Sequence, residues 1–237
     1  MKTLNQWYLQ ILLALLSLCT IGIYLLFKNQ TYYEFLLWNL FLAWIPNLFA
    51  LGAYFLHPLK PFASRKILIL VLGLAWLLFL PNAPYIVTDF IHLTILKNSY
   101  MPKKTWSINY WYDLFTIFLF AWNGLLLGCS SMYMIHVIAM KSWGRVLSWL
   151  LIIATSLLSG YGILLGREYR LNSWDALMNM KIVSILQRSL HKDAFIFCLL
   201  VGFVILTVYA TFYILINGVG SSKLAEEKIN ASSPSSR

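Results

Sequence analysis

The chain has 237 residues, of which 60% are hydrophobic and 11% charged, and its formal net charge is +10. Soluble domains carry about 25% charged residues, and here the apolar residues fall in long blocks rather than at amphipathic spacing, which excludes a soluble fold. The Lys and Arg residues lie between those blocks, where they set topology and meet anionic head groups; no basic stripe interleaved with aromatics marks a nucleic-acid surface.

Blocks of about 20 apolar residues match a hydrocarbon core about 30 Å thick at a helical rise of 1.5 Å per residue. Six are read as membrane spans: Trp7–Phe27, Tyr33–Leu56, Ile67–Thr88, Leu114–Ile135, Val146–Leu165 and Ala194–Asn217. The first is kept as a span rather than a signal peptide, because Phe27-Lys28-Asn29 follows in place of a small-residue cleavage site. Tyr and Trp gather at the span ends, as at Tyr110-Trp111-Tyr112 and Trp143, where interfacial anchoring accounts for them. Cys19, Cys129 and Cys198 lie singly inside apolar blocks and read as packing residues. The expected fold is therefore an all-α polytopic transmembrane bundle: one domain over 1–220, then a Ser-rich, disordered tail over 221–237.

The second and third spans carry prolines at Pro46, Pro81 and Pro84. Two prolines three residues apart remove two backbone donors, so the third span is expected to break at Pro81/Pro84, either as a kink or as a restarted half-helix. Pro46-Asn47 and Pro81-Asn82 precede Phe and His at the same offsets (Phe55 and His57, Phe90 and His92), as an inverted duplication of consecutive spans does. In the fourth and fifth spans, Gly124/Gly128 and Gly162/Gly166 form small-xxx-small pairs, read as close packing between these neighbours. From Asn172 to Leu190 apolar residues recur at helical spacing, predicting an amphipathic helix in the membrane interface, with Asn172 and Asp175 placed as a capping box.

Six spans put loops 28–33, 89–113 and 166–193 on one face. Before the tail, all six acids (Glu34, Asp89, Asp113, Glu168, Asp175 and Asp193) belong to that face or its boundary. Lys and Arg count nine on each face, but the acid-free loops are shorter and denser in charge. That assigns both termini to the cytoplasm and the acidic face to the outside of a multi-pass plasma-membrane protein.

The candidate catalytic residues are Asp89, His92 and Asp113. Asp89 and His92 stand at i and i+3, which suits a base with its proton shuttle and equally suits a solvated helix end. Candidate ligand-binding residues are Asn82 and Tyr85 at the break, then Arg167, Glu168, Arg170, Asn172, Trp174 and Asp175 at the exit of the fifth span. There Arg167 and Arg170 either clamp an anion or pair with the acids to hold the loops. No metal set is assigned, because His92 is the one well-placed histidine and catalytic zinc takes about three protein ligands. The cofactor stays open, a carboxylate-held Mg or Mn included, and GxSxG, HExxH and P-loop motifs do not occur.

Together, Trp38-Asn39, Trp44-Ile45-Pro46-Asn47, the run from Leu80 to His92, Trp111-Tyr112-Asp113 and Gly166-Arg167 through Asn172-Ser173-Trp174-Asp175 resemble the bacterial membrane family catalogued as domain of unknown function 1361. The resemblance covers roughly residues 35–215 and implies a multi-span bacterial membrane protein; it brings no activity and no site residues. The expected partners are the bilayer and an anionic lipid head group or small anion, held at a polar extracytoplasmic site. The competing expectations are a small-solute permease built on the proline-broken helices and an accessory subunit of a membrane complex.

Overall fold

The computed structural model describes residues 4–26, 33–59, 64–95, 107–175 and 182–232. The described residues contain helices and turns and no strand. The helices are α1 (Leu4–Leu26), α2 (Phe35–Leu56), α3 (Arg65–Phe79), α4 (Asn82–Tyr85), α5 (Ile91–Ile95), α6 (Ile108–Trp143), α7 (Arg145–Glu168), α8 (Ile182–Arg188) and α9 (Lys192–Ser232), with a 3₁₀ turn at Ile86–Phe90 between α4 and α5. Among the described residues six segments are long and apolar enough to cross a membrane: Gln6–Leu26, Phe35–Leu56, Arg65–Thr94, Ile108–Trp143, Arg145–Glu168 and Lys192–Gly218. The chain is thus a six-span helical bundle.

Helix α6 is its axis. It packs on α1, α2, α4, the 3₁₀ turn, α5, α7 and α9, and its apolar window is more buried than that of any other span. At 36 residues it is about 54 Å long, so it outruns the hydrocarbon core and carries the aromatic belts at Tyr110-Trp111 and Trp143 within the helix itself. A single residue, Gly144, turns α6 into α7; its φ of 85° lies in the left-handed region that glycine enters without a steric cost.

The third span is broken where the prolines stand, but gently. Regular helix ends at Phe79 and restarts at Asn82, while Leu80 and Pro81 keep right-handed helical dihedrals. The freed carbonyls find other partners: Ala83 N–H donates to Leu80 O at 3.1 Å, and Asn82 Nδ2 donates to Phe79 O at 3.0 Å. Pro46, by contrast, sits inside an uninterrupted α2. The parallel between the two Pro-Asn pairs therefore does not extend to two broken spans.

The glycine pairs grip the broken segment rather than each other, which corrects the sequence reading. A Cβ at Gly124 of α6 would meet the Ala83 carbonyl oxygen at 2.5 Å, and one at Gly128 would meet Ala83 Cβ at 3.3 Å. From the other side, a Cβ at Gly162 of α7 would lie 2.5 Å from Pro81 Cγ, and one at Gly166 would lie 3.1 Å from Tyr85 Cε2. Small residues let backbones approach in a bilayer, and here two neighbouring helices use them to clamp a third between them. The crossing of α7 with α9 uses a different pair, Gly160 and Gly202.

Two further stretches bear on the sequence reading. The predicted interfacial helix over 172–190 is seen over Ile182–Arg188 as α8; Asn172–Trp174 lead away from α7 as loop and turn, Asp175 is helical, and residues 176–181 lie outside the described set. The anticipated Asn172/Asp175 cap is present within that turn: Asp175 Oδ2 accepts from the Asn172 N–H at 2.7 Å. At the far end α9 continues to Ser232, well into the predicted tail, where Leu224-Ala225-Glu226-Glu227-Lys228 are strong helix formers. Residues 233–237 lie outside the described set.

Candidate functional site

The break positions a row of polar side chains. Side chains three apart eclipse in a 3₁₀ turn, so Tyr85, Thr88 or Asp89, and His92 stack along one edge of the third span. Across from them, the last turn of α7 delivers Arg167. Its Nη2 donates to Asp89 Oδ1 at 2.7 Å, and Asn39 Nδ2 of α2 donates to the other carboxylate oxygen at 2.8 Å. Arg167 Nε donates to Thr88 Oγ1 at 3.1 Å, Nη2 also donates to that hydroxyl, and the guanidinium carbon sits 4.5 Å from the centre of the Tyr85 ring. Asp89 is 1% exposed. A carboxylate at that depth persists only when paired and hydrogen-bonded, and both of its oxygens are.

His92 completes the cluster at its edge. Its Nε2 stands 3.4 Å from Arg167 Nη1 and 3.8 Å from Asp89 Oδ1. A guanidinium has only protons to give, so Nε2 is the acceptor in the first contact, and 3.8 Å is too long for the second to be a hydrogen bond. The ring packs against Phe35, with centroids 4.9 Å apart. Held this way, Asp89 and His92 are poorly arranged as a base and shuttle.

Beside the cluster lies a cleft of about 330 Å3, bounded by α2, α3, α4, α7 and the turn after α7. Its polar lining consists of Asn39, Asn82, Tyr85, Arg170, Asn172 and Ser173, and its apolar lining includes Trp38, Leu42, Leu78, Pro81, Leu165 and Ile182. Tyr85 joins the two features, with one face under Arg167 and its edge in the cleft. Asn82 Nδ2 also donates to Ser173 Oγ at 2.9 Å, tying the broken span to the loop that closes the cleft.

Arg170 differs from Arg167. Its φ of 54° makes it the one non-glycine residue in the left-handed region among those described. It follows the end of α7, where the Tyr169 and Leu171 amides both bond to the Leu165 carbonyl, at 3.1 and 3.3 Å. That is a helix-terminating position where glycine is usual. An arginine there bears backbone strain, and such strain concentrates at binding sites. Its side chain is exposed and makes no ion pair among the described residues.

The structure thus brings together two groups of the sequence-nominated residues: Asp89, His92 and Arg167 in the ion-paired cluster, and Asn82, Tyr85, Arg170 and Asn172 in the cleft. Asp113 is fully buried in α6 and does not line the cleft; Glu168 points to the exterior, and Trp174 and Asp175 belong to the turn behind it. Sequence reasoning missed Asn39, Thr88 and Ser173 as site residues. A neutral amide one turn inside α2, on the acidic face, was the available signal for Asn39. Among the described residues no group of three or more His, Cys, Asp or Glu stands close enough to hold a metal ion.

The sequence profile of the family described as Protein of unknown function (DUF1361) matches residues 38–208. The chain belongs to this family. No curated protein and no solved structure matches it. Every residue lining the cleft and every member of the Asp89 cluster lies inside the family segment, whereas α1 lies wholly outside it.

Helix α1 is joined to that segment by a separate polar seam. Gln10 Nε2 donates to Ser130 Oγ at 3.1 Å and Asn47 Nδ2 to Gln10 Oε1 at 2.5 Å; Asn123 Nδ2 and Trp44 Nε1 both reach Ser17 Oγ, at 3.1 and 3.0 Å. Such bonds act as glue between membrane helices, and Asn47 Oδ1 alone in this seam has no partner among the described residues. His136 is likewise enclosed, between Tyr209 Oη at 2.6 Å and Ser148 Oγ at 3.2 Å.

Proposed function

We propose that this protein is a binding protein of the plasma membrane whose extracytoplasmic cleft holds a small anionic group against Arg170. The observation that carries the reading is the division of labour between the two arginines. Arg167 is neutralised by the buried Asp89 and fixes the broken span, whereas Arg170 stands in a cleft with no acid among the described residues that line it. An unbalanced guanidinium at a membrane face, flanked by Asn82, Asn172 and Ser173 as neutral hydrogen-bonding groups, is suited to a phosphate or carboxylate.

Catalysis is the weaker reading, because both oxygens of Asp89 are occupied. A permease is weaker still: Pro46 does not interrupt α2, and the mid-bundle amides are bonded to α1. The test is native mass spectrometry from mild detergent, comparing wild type with Arg170→Gln and Arg170→Lys. An anionic adduct kept by the lysine variant and lost by the glutamine variant supports the site. Spectra indistinguishable across all three proteins refute it.

A further inference from the structure

The cleft is graded in polarity along the membrane normal, and the gradient specifies its occupant more closely. On α7 and the turn after it, the lining descends from Arg170 through Gly166 and Leu165 to Gly162, a drop of about 6 Å from Gly166 to Gly162 where the chain is helical. On the third span it descends from Tyr85 and Asn82 to Pro81 and Leu78, and on α2 from Asn39 to Leu42. The polar groups Asn39, Asn82, Tyr85, Arg170, Asn172 and Ser173 all belong to the loop-ward part, where Trp38, Leu171 and Ile182 add apolar surface, and the lining toward the bundle interior is apolar. At the side, Trp38 lines the cleft while remaining 53% exposed; a tryptophan exposed near a span end settles in the interfacial zone of the bilayer, which puts the side of the cleft at that zone.

We infer that the cleft takes a single-chain amphiphile with one negative charge, which enters sideways from the bilayer, sets its anionic group against Arg170 and lays the start of its chain along Leu42, Leu78 and Leu165. This inference rests on the reading of the cleft as an anion site. The charge follows from the lining: among the described residues Arg170 is its one cationic side chain, which one negative charge balances. The single chain follows from size. A volume of about 330 Å3 is at the lower end of ligand pockets, enough for a head group and a few methylenes and too small for two chains side by side. The apolar depth distinguishes a lipid from a free anion, which needs no such floor.

The experiment titrates purified protein with lysophosphatidylglycerols of increasing chain length, each below its micellar concentration, with glycerophosphoglycerol as the chain-free head group. Wild type, Arg170→Gln, Leu78→Trp and Leu165→Trp are compared, each checked for an unaltered melting transition. In wild type the affinity rises by up to about fourfold per methylene over the first several carbons and then levels. Either tryptophan variant that melts normally flattens the rise while still binding the bare head group. Lysophosphatidylcholine of equal length binds several-fold more weakly, because its phosphate is the same but its choline cation stands near Arg170 with no acid among the described lining residues to balance it. Binding that depends on Arg170 but not on chain length overturns the amphiphile and leaves the anion site standing. Two-chain phosphatidylglycerol binding as tightly as its lyso form overturns the single chain. No Arg170-dependent binding at any length overturns both readings.

Discussion

Replacing Arg167 by methionine isolates the ion pair that organises this end of the bundle. The change leaves Asp89, at 1% exposure, with only the Asn39 amide at 2.8 Å as a hydrogen-bond donor. Removing one partner of a buried pair costs about 3–5 kcal/mol, because a charge stays behind without compensation. The Arg167 side chain is 19% exposed, and the water it admits argues for the lower end, about 3 kcal/mol. The lost contact with the Tyr85 ring contributes a fraction of that. For a chain of this size the melting transition falls by about 6–12 °C. The double variant Asp89→Asn/Arg167→Met removes both charges while keeping a side chain for Asn39 to bond, and it returns to within about 1 kcal/mol of wild type. The assay is thermal unfolding in mild detergent, run as a double-mutant cycle. A double variant no more stable than Arg167→Met refutes the pairing as the source of the cost.

Other expectations concern packing, strain and pH. Gly124→Ala drives a methyl against the Ala83 carbonyl and loses about 1–3 kcal/mol, while Gly73→Ala, which meets nothing within 4 Å, stays near wild type in the same melting assay. Arg170→Gly relieves the left-handed backbone and melts within about 1 kcal/mol of wild type, yet loses the retained anion; a structural arginine would show the reverse. His57, just beyond the second span, has its pKa lowered by burial first and then by Lys141 and Arg65. The unfolded chain therefore binds the proton more readily, so this contribution to stability is intact above the unfolded value near 6.5 and is lost as pH falls below it. His57→Gln flattens that acid-side slope, measured as melting temperature against pH.

The spans were legible because hydropathy reports burial in lipid directly, and the proline break was legible because a missing donor has a local consequence. Other features depend on partners that spacing cannot name. Gly124/Gly128 and Gly162/Gly166 announce close approach, but only the folded chain shows Ala83, Pro81 and Tyr85 as what they approach. Arg167 and Arg170 look equivalent in sequence. They part company because α7 ends between them and the chain turns left-handed at Arg170, sending one guanidinium to Asp89 and leaving the other at the cleft. Asn39 and Thr88 were overlooked because neutral residues in apolar runs carry no charge signal; their importance comes from the carboxylate and guanidinium they meet.

The most direct test of the central claim is the rate at which a membrane-impermeant maleimide labels a cysteine at position 172, in the Asn172→Cys variant of a chain with Cys19 replaced by serine. Position 172 lines the cleft and is exposed, so it reports occupancy there and exposure to the outside at once. The account predicts labelling from outside intact cells, and a rate that slows severalfold when lysophosphatidylglycerol is added to the purified protein, with no slowing once Arg170→Gln is also present. Equal slowing with and without Arg170 contradicts it.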